Sequence, residues 1–192
     1  DPEITNLVPV LNSYWLMIHV SIITASYGFF SLGAILGLIA LWLIIFTNST
    51  NKYKLKHTLS ELTIINEKTL EVGLFMLAIG TFLGGVWANE SWGRYWGWDP
   101  KETWALVSIL IYTFVLHMRF IPSLRTKLIF NIASMFAIWT IIMTYFGVNY
   151  YLSGLHSYAA GDPMPIPNFV YYLLALMFIT AVLAKLKFKK HY

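Results

Sequence analysis

The stretch "WGRYWGWDPKETWAL", residues 92–106, holds four tryptophans, a tyrosine and four charged residues in fifteen positions. Indoles at that density can form a shelf for a planar ligand, and Arg94 or Lys101 can pair with carboxylates at the ligand's edge. Neutral imidazole is the common nitrogen donor to haem iron, and iron in a planar macrocycle needs only two axial donors. The chain has five histidines, and His19 and His156 are the two that its topology can bring beside the shelf. It has no cysteine, which excludes a disulfide, a thiolate metal site and a thiol nucleophile. These residues define an aromatic site with two imidazole donors. They do not name its ligand.

Each feature also has a plainer reading. Tryptophan and tyrosine gather at membrane interfaces, which accounts for Trp15, Trp87 and Tyr150. A belt of one ring per helix end does not account for Trp92, Tyr95, Trp96, Trp98 and Trp104 together. Asp99, Pro100 and Glu102 stand as N-cap, first and third residues of a helix, a capping-box start. A lone histidine near a helix end is more often structural than ligating.

The elements that must position these groups are membrane-spanning helices. Of 192 residues 58% are hydrophobic and 11% charged, against roughly 25% charged in a soluble domain. The fold class is therefore all-α, a single polytopic helical membrane domain over residues 1–192. Residues 14–46 contain no Asp, Glu, Lys or Arg, and Asn12 or Ser13 is placed to cap that helix, with Pro9 ahead of it. Further spans are expected near 71–87, 103–120, 128–150 and 169–186, giving about five. Thr58 and Glu61 have capping-box spacing ahead of a short amphipathic segment. The aromatic loop covers about 87–104, and a second loop, 151–168, carries His156 in "GLHSYAAGDPMP". The pairs Gly33/Gly37 and Gly80/Gly84 read as close helix packing.

Eleven of the thirteen basic residues fall between spans one and two, between spans three and four, or at the C-terminus. The positive-inside rule makes that face cytoplasmic, so the N-terminus lies outside, the C-terminus inside, and both loops face outward. The net charge of +4 follows from this asymmetry, so no nucleic-acid partner is needed. His117 falls about fourteen residues below Thr103, or ~21 Å, toward the cytoplasmic face. An ionisable group at that depth is a functional candidate, and snorkelling toward the interface beside Arg119 is the equal alternative. His57 and His191 sit among lysines and read as solvated.

"WGRYWGWDPKETWAL" resembles the tryptophan-rich WWD signature of the haem-handling proteins of cytochrome c maturation. The form WGxYWGWDPKE, with "LHMRF" and "GVNYYLSGLHSYAAGDP", is similar to the CcsA/ResC branch (system II), over nearly the whole chain from His19 to about Pro163. A chain beginning with Asp suits the C-terminal part of a fused CcsBA protein. The resemblance implies haem b as cofactor and cargo, and as partners a CcsB/ResB portion, apocytochrome c and the lipid bilayer. It implies His19 and His156 as external iron ligands and His117 as a transmembrane ligand whose mate lies in the CcsB portion. Trp92, Trp96, Trp98 and Asp99 become the platform that positions haem for reaction, with Trp87, Arg94, Tyr95 and Trp104 around it. The implied activity is haem export followed by thioether formation with Cys-x-x-Cys-His motifs. The implied location is the bacterial cytoplasmic membrane with its site toward the periplasm, or the thylakoid membrane in a plastid. Export without bond formation is one rival. A cytochrome b-like electron carrier is another, disfavoured because no span carries two histidines.

The orientation is directly testable, because a chain without cysteine gives no background labelling. An impermeant thiol reagent on intact cells should label a cysteine placed at Ser91 and spare one at Asn51. The reverse pattern overturns the topology.

Overall fold

A computed structural model describes residues 13–156 and 165–191, with side chains up to Phe188. Asn12 and Pro9 lie outside the described residues, as does the 157–164 part of the second loop. The described chain is all-helical, with five helices long and apolar enough to cross a membrane. They are α1 Tyr14–Ile45, α2 Lys52–Trp92, α3 Pro100–His117, α4 Lys127–Tyr151 and α5 Asn168–His191.

Ser13 occupies the N-cap of α1 with extended backbone, but its hydroxyl makes no capping bond. A reciprocal asparagine turn joins α1 to α2: the Asn51 side chain accepts from the Asn48 amide at 2.8 Å, and the Asn48 side chain accepts from the Asn51 amide at 2.9 Å. The expected break ahead of the second span is absent. Helix α2 is continuous for 41 residues, about 60 Å at helical rise, twice the ~30 Å hydrocarbon core. Thr58 is no cap; its hydroxyl back-bonds to the Lys54 carbonyl within the helix, and Glu61 pairs with His57 one turn away. Charged residues end a hydropathic run without ending a helix, since Lys, Leu and Glu are all good helix formers.

Helix α3 starts three residues earlier than hydropathy places it, at Pro100, with the capping box of Asp99 and Glu102 formed. It closes in a 3-10 turn, Met118–Phe120. Thr126 caps α4, its Oγ1 accepting from the Ile129 amide. Within α4 the segment Met143–Gly147 is π-helical, a widened turn that re-aims side chains and recurs at functional sites.

In lipid, apolar surface gives little drive for helix association, so small residues and buried hydrogen bonds carry more of it. Helices α1 and α2 form an antiparallel pair seated on glycines: Gly73 meets Phe30, Gly80 meets Ile23 and Gly84 meets His19. On the other side of α1, Gly37 lies against the backbone of α4 at Asn131 and Met135. Both glycine pairs are thus packing sites, as their spacing predicts. Phe30 stacks on Tyr112 of α3 at 3.8 Å between centroids, inside a core that includes Leu70, Leu77 and Ile141. A second core joins Leu41 and Ile44 to Leu59, Met135 and Met177. Asn66, Asn131 and Ser134 are fully buried where α1, α2 and α4 meet. Asn66 donates to Asn131 and to Ser134, and Ser134 reaches both Asn66 and the Gly33 carbonyl.

Asn131 takes part in three hydrogen bonds, with Asn66, Thr63 and the Lys127 carbonyl. Asn131→Leu keeps the volume and removes all three. Interhelical bonds in membranes average about 0.6 kcal/mol and reach about 1.7, so chemical or thermal denaturation in detergent should show a loss of about 1–2 kcal/mol. Unchanged stability would make the network incidental.

Candidate functional site

The aromatic end of the bundle is built around the short connection from α2 to α3. Helix α2 runs on through Trp92 and stops at Gly93, whose φ of 70° is the left-handed stop that glycine supplies without strain. The chain turns back over residues 93–99 and re-enters a helix at Pro100. One carboxylate pins this return: Glu102 Oε2 accepts from the Gly97 amide at 2.8 Å and the Asp99 amide at 3.2 Å. Trp98 is held at φ 56°, a region that bulky residues rarely adopt. Its carbonyl accepts from the Thr103 hydroxyl, and its ring meets Trp96 edge-on at 5.7 Å.

His19 faces this loop from the first turns of α1. It is 5% exposed, and its ring lies against Gly84, where any side chain would crowd it. Its Nδ1 bonds to the Trp15 carbonyl at 2.7 Å. His156 arrives from the other side, just past the end of α4, and its Nδ1 meets Asp99 Oδ2 at 2.9 Å. Carbonyl and carboxylate oxygens only accept, so each imidazole donates from Nδ1, and in the neutral tautomer this leaves the Nε2 lone pair free. This is the form in which histidine ligates a metal.

Trp87 joins the two histidines. It is fully buried, with its ring centroid 5.3 Å from His19 and 5.6 Å from His156. Trp92 closes on His156 at 5.0 Å and on Trp87 at 4.7 Å, edge-on in both cases. The membrane-belt reading of Trp87 is therefore incorrect; the residue is the centre of the site.

Both histidines line a cleft of about 180 Å³ with Trp87, Tyr95, Trp96 and Lys101. Its floor is Tyr27 and Tyr145, in edge contact at 6.3 Å, with Thr144 beside them. Sequence reasoning missed these three. Tyr27 lies eight residues from His19 on the same helical face, which is a readable signal; Tyr145 and Thr144 sit in the π-helical turn, which leaves no local signature. Lys101 Nζ donates to Asn149 at 2.8 Å, so the lysine is tethered at the rim.

Asp99 does more than cap. Oδ2 accepts from the Lys101 amide as well as from His156, and Oδ1 accepts from the Leu155 amide at 2.6 Å. It is 6% exposed. Gly154 makes the approach possible, because a Cβ there would overlap the Asp99 carboxylate.

Other expected site residues lie outside the cleft. Trp98 is 69% exposed, Arg94 is exposed and folded over Gly97, and Trp104 contributes its carbonyl to Ser108 and Thr144. His117 is at the opposite, basic end, the last residue of α3. Its Nδ1 bonds to the Thr113 carbonyl at 2.7 Å, its ring meets Phe120, and it is exposed on the bundle surface. Nearby, Arg119 pairs with Glu67 of α2. Seventeen residues of helix separate His117 from Pro100, about 25 Å, so one macrocycle cannot touch both ends.

The donor set fits haem. Among the described residues no group of three or more His, Asp or Glu side chains forms a metal cluster, whereas a porphyrin fills four positions on its iron and asks only two of the protein. The cleft is smaller than the roughly 300–1,000 Å³ that encloses a drug-sized ligand. A macrocycle would therefore place only part of its area there.

Residues 1–156 match the cytochrome C assembly protein family. The chain is 58% identical to Protein NrfI of Wolinella succinogenes over 86% of its own length and 18% of that protein. It is 36% identical to the cytochrome c biogenesis protein CcsA of Cyanophora paradoxa, over 81% of this chain and 61% of that one. It is likewise 36% identical to CcsA of Prochlorococcus marinus, over 80% and 57%. It thus spans about three-fifths of the CcsA relatives and under a fifth of NrfI. The chain belongs to the cytochrome c assembly protein family, and its role lies in cytochrome c biogenesis.

Proposed function

We propose that this chain receives haem b as its cargo, holds it at the outward face between His19 and His156, and presents it for thioether formation with an apocytochrome c, acting with a CcsB/ResB portion. The observation that carries this reading is the convergence of two Nε2-free imidazoles, from α1 and from the chain beyond α4, on one buried indole. The direction is supported by the eleven-to-two distribution of basic residues, which makes the basic end cytoplasmic.

The reaction adds a thiol S–H across each haem vinyl group. Sulfur bonds to the carbon next to the ring and hydrogen to the terminal carbon, so nothing leaves and no net oxidation occurs. Such an addition needs no nucleophile from the protein, since the thiols come from the substrate. What this chain supplies is orientation of the vinyl edge and exclusion of water by the tryptophan loop. The substrate's own histidine must then replace one axial ligand, which calls for imidazoles held firmly on Nδ1 and exchangeable at Nε2. Lys101, tethered at the rim, is placed to pair with a propionate. His117, exposed at the basic end, is suited to ligate haem earlier, against a second ligand from the CcsB portion.

His19→Gly and His156→Gly should each lower haem retention and covalent product, and added imidazole should partly restore both by filling the vacated space. Normal spectra and product in His19→Gly would overturn the pair. His117→Ala should reduce haem at the outer site as well as the inner one, while His156→Gly should leave the inner site loaded. Haem content of each variant, with the CcsB portion present, measures this. A fully loaded outer site in His117→Ala would overturn the inside-to-outside order. Co-expression with an apocytochrome separates bond formation, read as covalent haem on the product, from export alone, read as free haem outside.

A further inference from the structure

The two imidazoles of the outer pair are held by different acceptors, and the difference has chemical consequences. His19 Nδ1 bonds to a neutral carbonyl, that of Trp15. His156 Nδ1 bonds to a carboxylate whose side chain is only 4% exposed. A charged acceptor withdraws the Nδ1 proton further and pushes electron density onto Nε2, raising ligand basicity. Low exposure strengthens that effect, because little water screens the carboxylate.

We infer that Asp99 is the positioning residue that makes His156 an electron-rich, orientation-locked iron ligand, joining the tryptophan loop to the second ligand through one carboxylate. Oδ1 fixes the backbone before His156 through the Leu155 amide, and Oδ2 fixes the ring itself. The same carboxylate caps α3, so movement of the tryptophan loop moves the ligand. This assignment rests on the haem reading above and deepens it.

The comparison is Glu102, which pins the same loop through Gly97 and Asp99 and lines the cleft, but does not bond His156. If Asp99 acted only as a cap, Asp99→Asn and Glu102→Gln would have like effects. If it acts through His156, Asp99→Asn changes the iron more than Glu102→Gln does, and only while the His156 ring is present. Asparagine keeps one acceptor oxygen, yet its charge is gone and its amide NH₂ must face either the Leu155 amide or the His156 ring.

The experiment adds haem to the purified, detergent-solubilised protein and its variants, recording affinity, reduction potential and apoprotein melting. In Asp99→Asn the affinity should fall about 10- to 100-fold, the usual cost of losing a partner of a ligating histidine. The potential should rise, because a negative charge that favours the ferric state is lost. Glu102→Gln also removes a carboxylate beside the cleft and should raise the potential by less, because Glu102 does not bond the ligand ring. In a His156→Gly background, Asp99→Asn should add little, since the ring through which it acts is absent. Asp99→Asn that fails to take up haem while its apoprotein melts as the parent does also supports the assignment. An unchanged potential in Asp99→Asn, equal shifts in the two loop variants, or a full Asp99→Asn effect in the His156→Gly background would overturn it. Failure of the unsubstituted protein to bind haem would instead remove the haem reading itself.

Discussion

The carboxylate of Asp99 is the point on which the aromatic end of this molecule depends. It satisfies an orphan amide at the start of α3, fixes the backbone of Leu155 and orients His156, all from a site that is nearly closed to solvent. A carboxylate buried there without partners would be costly. With them it ties two segments more than fifty residues apart into one unit. Gly154 is the condition for that meeting, as Gly84 is for the meeting of α2 with His19. Both imidazoles are therefore placed by absences of side chain as much as by bonds.

The rest of the bundle supports these two placements through its packing and buried hydrogen bonds. Because lipid tails do not drive apolar helix faces together as water does, the α1–α2 pair relies on glycine contacts, the Phe30–Tyr112 stack joins α3 to α1, and α4 is fastened through Asn66, Asn131 and Ser134. This network lies well below the cleft. It fixes the relative height of α1 and α4, which are the helices that lead to His19 and to His156. The π-helical turn near the end of α4 then re-aims Thr144 and Tyr145 into the cleft. Function at the surface thus rests on polar contacts in the interior.

Much of this was legible in the sequence. The spans follow from hydropathy, the start of α3 from the Asp99-Pro100-Glu102 pattern, and the two histidines from their shared end of the bundle. What was illegible has physical reasons. Helix α2 extends through Lys52–Lys68 because charge ends membrane burial and not helicity. Trp87 resembles any interfacial tryptophan until the neighbours of its ring are known. The Asp99–His156 bond joins residues that no local rule connects, and a π-helical turn has no composition of its own. In the other direction, Trp98, Arg94 and Trp104 belong to the aromatic motif by spacing, yet the turn at Gly93 and the phase of α3 carry them away from the cleft.

The central claim is that His19 and His156 bind one iron from opposite sides. Electron paramagnetic resonance of ferric haem added to the purified protein tests this most directly, because two imidazole ligands give a low-spin centre and loss of either gives a high-spin one. The account predicts a low-spin signal from the unsubstituted protein. A high-spin signal from that protein, at full haem occupancy of the outer site, would contradict it.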